Sequence, residues 1–462
     1  MKPICLETQI LNKYKTKIFR ELIKLVWNEN LDNIDDIPKN ILENVKKESI
    51  QDVDENTIIN LIRVILGLNP LESNGDTRLK DMIYESMNLD KVDMPIISII
   101  DDACKYCDNT KYECLIKNKH INCNKQSTCS ACGECISKCK LGAISDKIEF
   151  IPIINILKNK KNPVYVILAP AFTGQFGEDV SSGILRGALK SIGFKDMIEV
   201  ALAADILTVI EAYHYYDHIQ NNNKDYFITS CCCPVWVSLI KSKFPEIASN
   251  ISSSVSPMIA CGRIIKSLNP AAKVVFIGPC IAKKKEAISE GLKGAVDFVL
   301  TFQELDEIFK ALDVDLLHIK EDNRLESSYC GRIYAKSGGV SKSIEVALKE
   351  IDEYIKFNPI SFQGSKECIK GLEKLINKEI DATFIEGMGC KGGCIGGPKK
   401  LISLEKGIKY MDKHLQESEL KTPFDNLNVA QFLLEIGIKK IEDLGDKNQD
   451  KIQQIFKRNI EK

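Results

Sequence analysis

Apolar residues in the first hundred positions recur every three to four residues, the spacing that gathers them on one face of a helix. In the stretch LETQILNKYKTKIFRELIKLVW they fall at Ile10, Leu11, Tyr14, Ile18, Leu22 and Val26. Pro38 follows DDI and suits the first turn of a second helix, and TIINLIRVILGL predicts a third. Beyond Pro163 the pattern changes. Short apolar runs (VYVILAP, DYFITS, KVVFIGP, DATFIEG) alternate with longer amphipathic segments (GILRGALKSIG, ADILTVIEAYHYY, SKSIEVALKEIDEYI). Runs of the first kind read as buried strands and of the second as helices, so the region is α/β with a largely parallel sheet.

Between these regions residues 101–150 carry little continuous apolar pattern, and the polar tract from Lys158 to Pro163 reads as linker or loop. From about Leu401 the chain is helical and charge-rich. The expected organisation is a helical region at 1–100, a cysteine-rich domain at 101–150, an α/β domain at 151–400 and a helical extension at 401–462. Neither helical end carries a catalytic signature; the first reads as a docking or support domain.

Composition narrows the function. Of 462 residues, 63 are Lys or Arg and 64 are Asp or Glu, so no global field draws the chain to nucleic acid or an anionic membrane. No apolar run is long enough to span a bilayer, and the N-terminus lacks the apolar core of a secretory signal. These features predict a cytoplasmic protein. Eighteen cysteines in a reducing compartment then point to metal or redox chemistry rather than to a disulfide framework. No G-x-G-x-x-G loop or Walker lysine motif is present, so direct nucleotide use has no support.

The cysteines form two kinds of site. CSACGECISKC sets Cys129, Cys132, Cys135 and Cys139 at the C-x2-C-x2-C-x3-C spacing whose thiolates wrap a cubane iron–sulfur cluster. Tight turns between them offer backbone N–H groups to the sulfurs. Upstream lie Cys104, Cys107, Cys114 and Cys123 in a looser run. Eight cysteines suffice for two 4Fe–4S clusters. By ferredoxin-like exchange of the fourth ligand, one cluster takes Cys104, Cys107, Cys114 and Cys139, and the other takes Cys123, Cys129, Cys132 and Cys135. The alternative for the looser half is zinc, which also binds four cysteines. Lys140 stands where a proline usually follows the last cysteine.

The second site is built from distant segments. Cys233, Cys280, Cys390 and Cys394 each lie just past the C-terminal end of an expected buried strand, the edge along which open α/β sheets form their ligand crevice. Four thiolates delivered there could hold one cluster, with the glycines around Cys390 and Cys394 permitting close backbone approach. Cys5, Cys261, Cys330 and Cys368 read as packed residues.

TSCCCPVW, GPCIAKKKE and EGMGCKGGCIGGP, in this order after a cysteine-rich domain, resemble the three signature motifs of the FeFe (di-iron) hydrogenases. The likeness covers roughly residues 100–400, and the triple cysteine and shortened third motif mark a divergent subgroup. It implies a ferredoxin-like two-cluster domain ahead of a catalytic domain holding an H-cluster. That cofactor is a 4Fe–4S cluster joined through a cysteine to a di-iron subcluster with CO, cyanide and a bridging dithiolate amine. Matched motif by motif, Cys233, Cys280, Cys390 and Cys394 would be its ligands, with Cys394 the bridge. Lys283 would hydrogen-bond a cyanide, Glu286 would fix that loop and Met388 would pack against the di-iron unit. Ala169 and Pro170 would form the pocket wall, with Ala171 where some relatives carry a serine. Cys232 would relay protons as a thiol, and Cys231 is either at the family's serine position or an insertion.

The implied reaction is reversible heterolysis of dihydrogen, with electrons passing through two accessory 4Fe–4S clusters to a soluble ferredoxin-like carrier. Maturation factors would deliver the di-iron unit. Three departures stand out. Gly278 replaces a methionine common in the second motif. Ser252 matches the serine of the better-known proton exit, but Ala212 and Tyr215 occupy the positions of its two glutamates. An altered relay through His214 or Glu211 is the expectation this raises; the plainer reading of His214 is a residue on a polar helix face. A slow hydrogen sensor, or a hydrogenase-like assembly protein without the di-iron unit, are the competing functions.

Overall fold

The structure, a computed structural model, describes residues 10–32, 34–47, 53–71, 78–100, 113–114, 119–120, 129–139, 141–221, 226–229, 232–446 and 448–458. Cys104, Cys107, Cys123 and Cys231 lie outside these residues. The chain divides into two compact units, residues 1–161 with 303–315, and residues 162–302 with 316–462.

The first unit opens with the expected amphipathic helix, Ile10–Trp27, which buries Leu11, Tyr14, Ile18, Leu22 and Val26. Pro38 sits in the first turn of the helix Ile37–Lys47, where its missing N–H costs nothing. The third helix, Glu55–Ile65, is capped by Asp54, whose Oδ1 accepts from Thr57 N at 2.7 Å. Two small antiparallel pairs follow. Strand β1 (Ile97–Ile99) pairs with β4 (Ile144–Asp146), and β2 (Glu113–Cys114) pairs with β3 (Lys119–His120).

The second unit has two parallel sheets, in keeping with the α/β pattern of alternating strands and helices. One has the order β6-β5-β8-β9, from Asp196–Glu199, Val164–Leu168, Lys273–Gly278 and Phe298–Thr301. The other has the order β10-β11-β7, from Pro359–Gln363, Phe384–Met388 and Phe227–Ile228. Periodicity reveals strands but not their partners. The central strands β5 and β8 are almost wholly apolar, as expected where helices cover both faces of a parallel sheet. Packed beside β7 and β11 is the long helix Val200–Gln220, buried along most of its length. Cysteine-bearing loops leave β7, β8 and β11 at their C-terminal ends, and the Ala169–Pro170 loop leaves β5 in the same sense.

Candidate functional site

Cys233 is the N-cap of the helix Pro234–Lys243, with Pro234 preset for the first turn. Trp236 in that turn donates from Nε1 to Thr229 O at 3.1 Å, tying the helix back to the strand end. The indole lies flat against β11: a Cβ added to Gly387 would stand 2.1 Å from Trp236 Cδ2. The tryptophan of the first motif and the first glycine of the third are thus one packing unit. Further along the same loop, Gly389 N donates to Cys233 Sγ at 3.3 Å. Lys399 N donates to Pro279 O at 3.1 Å, so the third loop is pinned to the second as well.

Cys233, Cys280 and Cys394 come together. The Cys280 and Cys394 sulfurs lie within electrostatic reach of each other and of Cys233. Burial pushes the Cys280 thiol up to about 11 and the Cys394 thiol up to about 12, neighbouring thiols add to both shifts, and Lys283 opposes them. Cys390 is half-buried on the same loop as Cys394, its carbonyl accepting from Gly393 N at 3.2 Å. Among the described residues no three His, Cys, Asp or Glu side chains close on the space of a single metal ion.

Lys283 and Glu286 are one helical turn apart and form a buried pair, Nζ to Oε2 at 2.7 Å. Burial alone would lower the lysine, but Glu286 and then the Cys280 and Cys394 thiols raise it above its ordinary value. Lys283 thus stands beside the cysteines with its ammonium form favoured. Cys232 is buried with Sγ 3.7 Å from Met388 Sδ, and Cys368 donates to Met388 O at 3.4 Å from behind. Ala169 is buried and Pro170 half-buried where β5 ends. At Gly278 an added Cβ would stand 2.7 Å from the Phe276 ring and 3.0 Å from Ala169 Cβ. Phe276 fills the space a side chain at 278 would need.

The positions of the better-known exit glutamates are sealed. Ala212 and Tyr215 are fully buried, and Tyr215 packs edge-on against Phe227, Phe357 and Phe384. Its hydroxyl bonds Thr383 Oγ1 at 2.7 Å and Lys356 O at 2.8 Å. Glu211, one residue away, is also fully buried but has polar partners. Its Oε2 accepts from Thr229 Oγ1 at 3.1 Å, its Oε1 accepts from Ser252 Oγ, and His214 Nδ1 lies 3.6 Å from Oε1. His214, His218, Ser252 and Lys457 line a cavity of about 680 Å³. Two participants had no sequence signal: Thr229, and Arg458, which reaches Glu286 Oε1 at 3.4 Å.

In the first unit Ala131 N donates to Cys129 Sγ at 3.3 Å, and Ala131 and Gly133 take left-handed backbone angles that turn the chain tightly around the sulfurs. Burial, then Cys129 and Cys114, push the Cys132 thiol up to about 11. Cys135 and Cys139 are half-buried at the start and end of the short helix Glu134–Lys138.

Residues 162–398 match the model of the iron only hydrogenase large subunit, C-terminal domain. The chain is 26% identical over 324 residues to the NADP-reducing hydrogenase subunit HndD of Solidesulfovibrio fructosivorans, covering 59% of this chain and 55% of that one. Over 340 residues it is 26% identical to iron hydrogenase 1 of Clostridium pasteurianum, covering 62% and 59%. It thus spans under two thirds of the length of these two relatives. A cytosolic Fe–S cluster assembly factor from Encephalitozoon cuniculi is 25% identical over 323 residues, covering 63% of this chain and 84% of that protein. In fold the chain is similar to a variant of the FeFe-hydrogenase HydA1 from Chlamydomonas reinhardtii, with a TM-score of 0.52 at 17% identity, covering 64% and 94%. The matched segment contains all three cysteine loops and the strands that deliver them, and on that match the chain belongs to the family of the iron-only hydrogenase large subunit, C-terminal domain.

Proposed function

We propose that this chain is a hydrogenase that interconverts dihydrogen with two protons and two electrons, exchanging the electrons with a soluble ferredoxin-like carrier. The observation that carries the reading is the company kept by the three convergent thiols. A buried Lys283–Glu286 pair faces them, and Cys232 sits against Met388 beside them. A plain 4Fe–4S cluster needs none of these four side chains.

The donor set fits an H-cluster. Buried thiols with raised pKa values become ligands when iron displaces their protons, and the Gly389 N–H aimed at Cys233 Sγ suits a cluster thiolate. Cys233, Cys280, Cys390 and Cys394 would hold the cubane, with Cys394 bridging to the di-iron unit. When bound, the H-cluster supplies the iron site at which dihydrogen is cleaved or formed and the path for electrons. The protein's own part is positional. Lys283 Nζ would donate to a cyanide of that cofactor, a charge-assisted bond to a small anion. Met388 and Phe276 exclude water. Cys232 Sγ holds the proton in transit, and Glu211 and His214 carry it to the 680 Å³ cavity. The accessory clusters, on Cys104, Cys107, Cys114 and Cys139 and on Cys123, Cys129, Cys132 and Cys135, would relay electrons.

The likeness to the assembly factor supports a second reading, a cluster-holding protein that lacks the di-iron unit. One experiment separates the two. The protein is matured with the di-iron cofactor, infrared spectra are recorded in the CO and cyanide region, and hydrogen uptake and evolution are assayed. CO and cyanide bands with turnover support the hydrogenase. Absence of the bands after competent maturation rejects it in favour of the second reading.

A further inference from the structure

The last described turn of the chain threads back into the site. Phe456 O accepts from Val255 N at 2.8 Å, Arg458 N donates to Ser253 O at 2.6 Å, and Lys457 forms an antiparallel bridge with Ser254. Arg263, from the helix Pro257–Leu268, fastens the segment from the other side. Its Nη1 donates to the carbonyls of Gln454, Ile455 and Lys457 at 3.1, 3.1 and 2.9 Å, satisfying acceptors that the end of the helix Asp450–Phe456 leaves open. The result is a strap whose backbone is held on both sides and whose last side chain points inward.

That side chain is Arg458. Its Nη2 lies 3.4 Å from Glu286 Oε1, while Glu286 Oε2 accepts from Lys283 at 2.7 Å. One buried carboxylate is thus shared between two cations, one oxygen each. The seat is unfavourable for an arginine on every other count. Its Nε is buried without a hydrogen-bond partner among the described residues. Lys241 and Arg263 lie close enough that, after burial, the Arg458 charge disfavours their own protonated forms. Burying ion pairs is expensive, and the segment 456–458 is already anchored by its backbone hydrogen bonds. Among the described residues its ion-pair partner is Glu286.

We propose that Arg458 is a positioning residue: it occupies Glu286 Oε1, so that Lys283 is held by Oε2 alone and its ammonium is aimed at the cysteine loops. Without Arg458, Oε1 has no partner, the carboxylate turns to offer both oxygens to Lys283, and Nζ is drawn away from the cluster side. Ligand-orienting groups one layer out govern a metal site in this way. The inference rests on the proposed role of Lys283, and the test keeps the two apart.

Five proteins are compared: the unaltered chain, R458A, R458K, E286Q and the double variant R458A/E286Q. In protein loaded with the di-iron unit, R458A shifts the cyanide bands and R458K restores them. In the E286Q background, removing Arg458 causes no further shift, because the path runs through that carboxylate. An equal shift in both backgrounds means Arg458 acts by its charge alone and overturns the proposal, as does an unshifted R458A spectrum. If even the unaltered chain gives no cyanide bands, the hydrogenase reading has failed. The same comparison is then made on the midpoint potential of the reconstituted cubane, which R458A lowers only where Glu286 is present. A urea melt of each variant, with the tail otherwise intact, separates loss of the strap from loss of positioning.

Discussion

Replacing Glu211 by glutamine separates the proposed proton route from everything else the carboxylate does. The side chain is fully buried, and its two oxygens take hydrogen bonds from the Thr229 and Ser252 hydroxyls. Both partners are hydroxyls, which donate and accept with equal ease. A glutamine amide of the same shape can therefore keep both contacts, accepting from one hydroxyl and donating to the other. The exchange turns two charge-assisted bonds, each about 1.5–3 kcal/mol, into neutral ones near 1 kcal/mol, and removes the cost of burying a charge, so the net stability change stays within about 2 kcal/mol. What the amide cannot do is take up and release a proton. A positioned acid–base group contributes on the order of 10²–10⁴ in rate, so E211Q should lose about a hundredfold or more in turnover, equivalent to about 2.7 kcal/mol of barrier. Iron content and CO and cyanide bands should be unchanged. His214 borders the open cavity, where water can take over, so H214A should lose only up to about tenfold, with recovery on adding imidazole. Matured variants are assayed for hydrogen evolution with a reduced dye. If E211Q turns over within about twofold of the unaltered protein, the route does not pass through this carboxylate.

Other sites give independent checks. Cys232→Ala should abolish turnover while leaving the cluster spectra intact; sustained turnover would mean the neighbouring cysteines have been assigned in the wrong order. Gly387→Ala drives a methyl into the Trp236 indole at 2.1 Å, so it should cost at least about 3 kcal/mol in a urea melt, or yield no folded protein, and an unchanged melt would refute the packing. Asp205 is buried, which pushes its carboxyl up to about 6 although Ser328 and Asn426 donate to it. A carboxyl raised in the folded state binds more protons there than in the unfolded chain, so its contribution is fully present below about pH 4 and is lost as pH rises through about 6, by about 3 kcal/mol. Glu326, pushed up to about 7 by burial, adds a loss in the same direction. In urea melts of the apoprotein, Asp205→Asn should flatten the fall between about pH 4 and about pH 6, and an unaltered slope would count against the assignment.

The parts of this molecule that could be read from sequence are those where chemistry dictates residue type. A thiolate ligand has to be cysteine, so the loops after β7, β8 and β11 announce themselves, and the helix Ile10–Trp27 does so because its apolar face has to repeat. Pairing is different. Two parallel sheets and one would leave the same alternation of runs and helices, because the choice is made by which strand finishes beside which. Gly278 looks like a gap in a motif until Phe276, two residues earlier on the same face of β8, is seen to fill it.

Proton transfer is the hardest function to read, because any titratable atom can serve and only direction in space decides. Consecutive residues on a helix point about 100° apart. Glu211 therefore leaves the face on which Ala212 and Tyr215 are buried, Tyr215 in an aromatic cluster. Its own direction meets Thr229 at the end of β7 and Ser252, whose N–H bonds Ile228 O at 2.8 Å. The strand that leads to Cys232 and Cys233 is thus followed directly by the hydroxyl that receives the Glu211 carboxylate. One face of the helix is thus closed by aromatics, while the next carries a buried carboxylate whose partners Ser252 and His214 line the cavity.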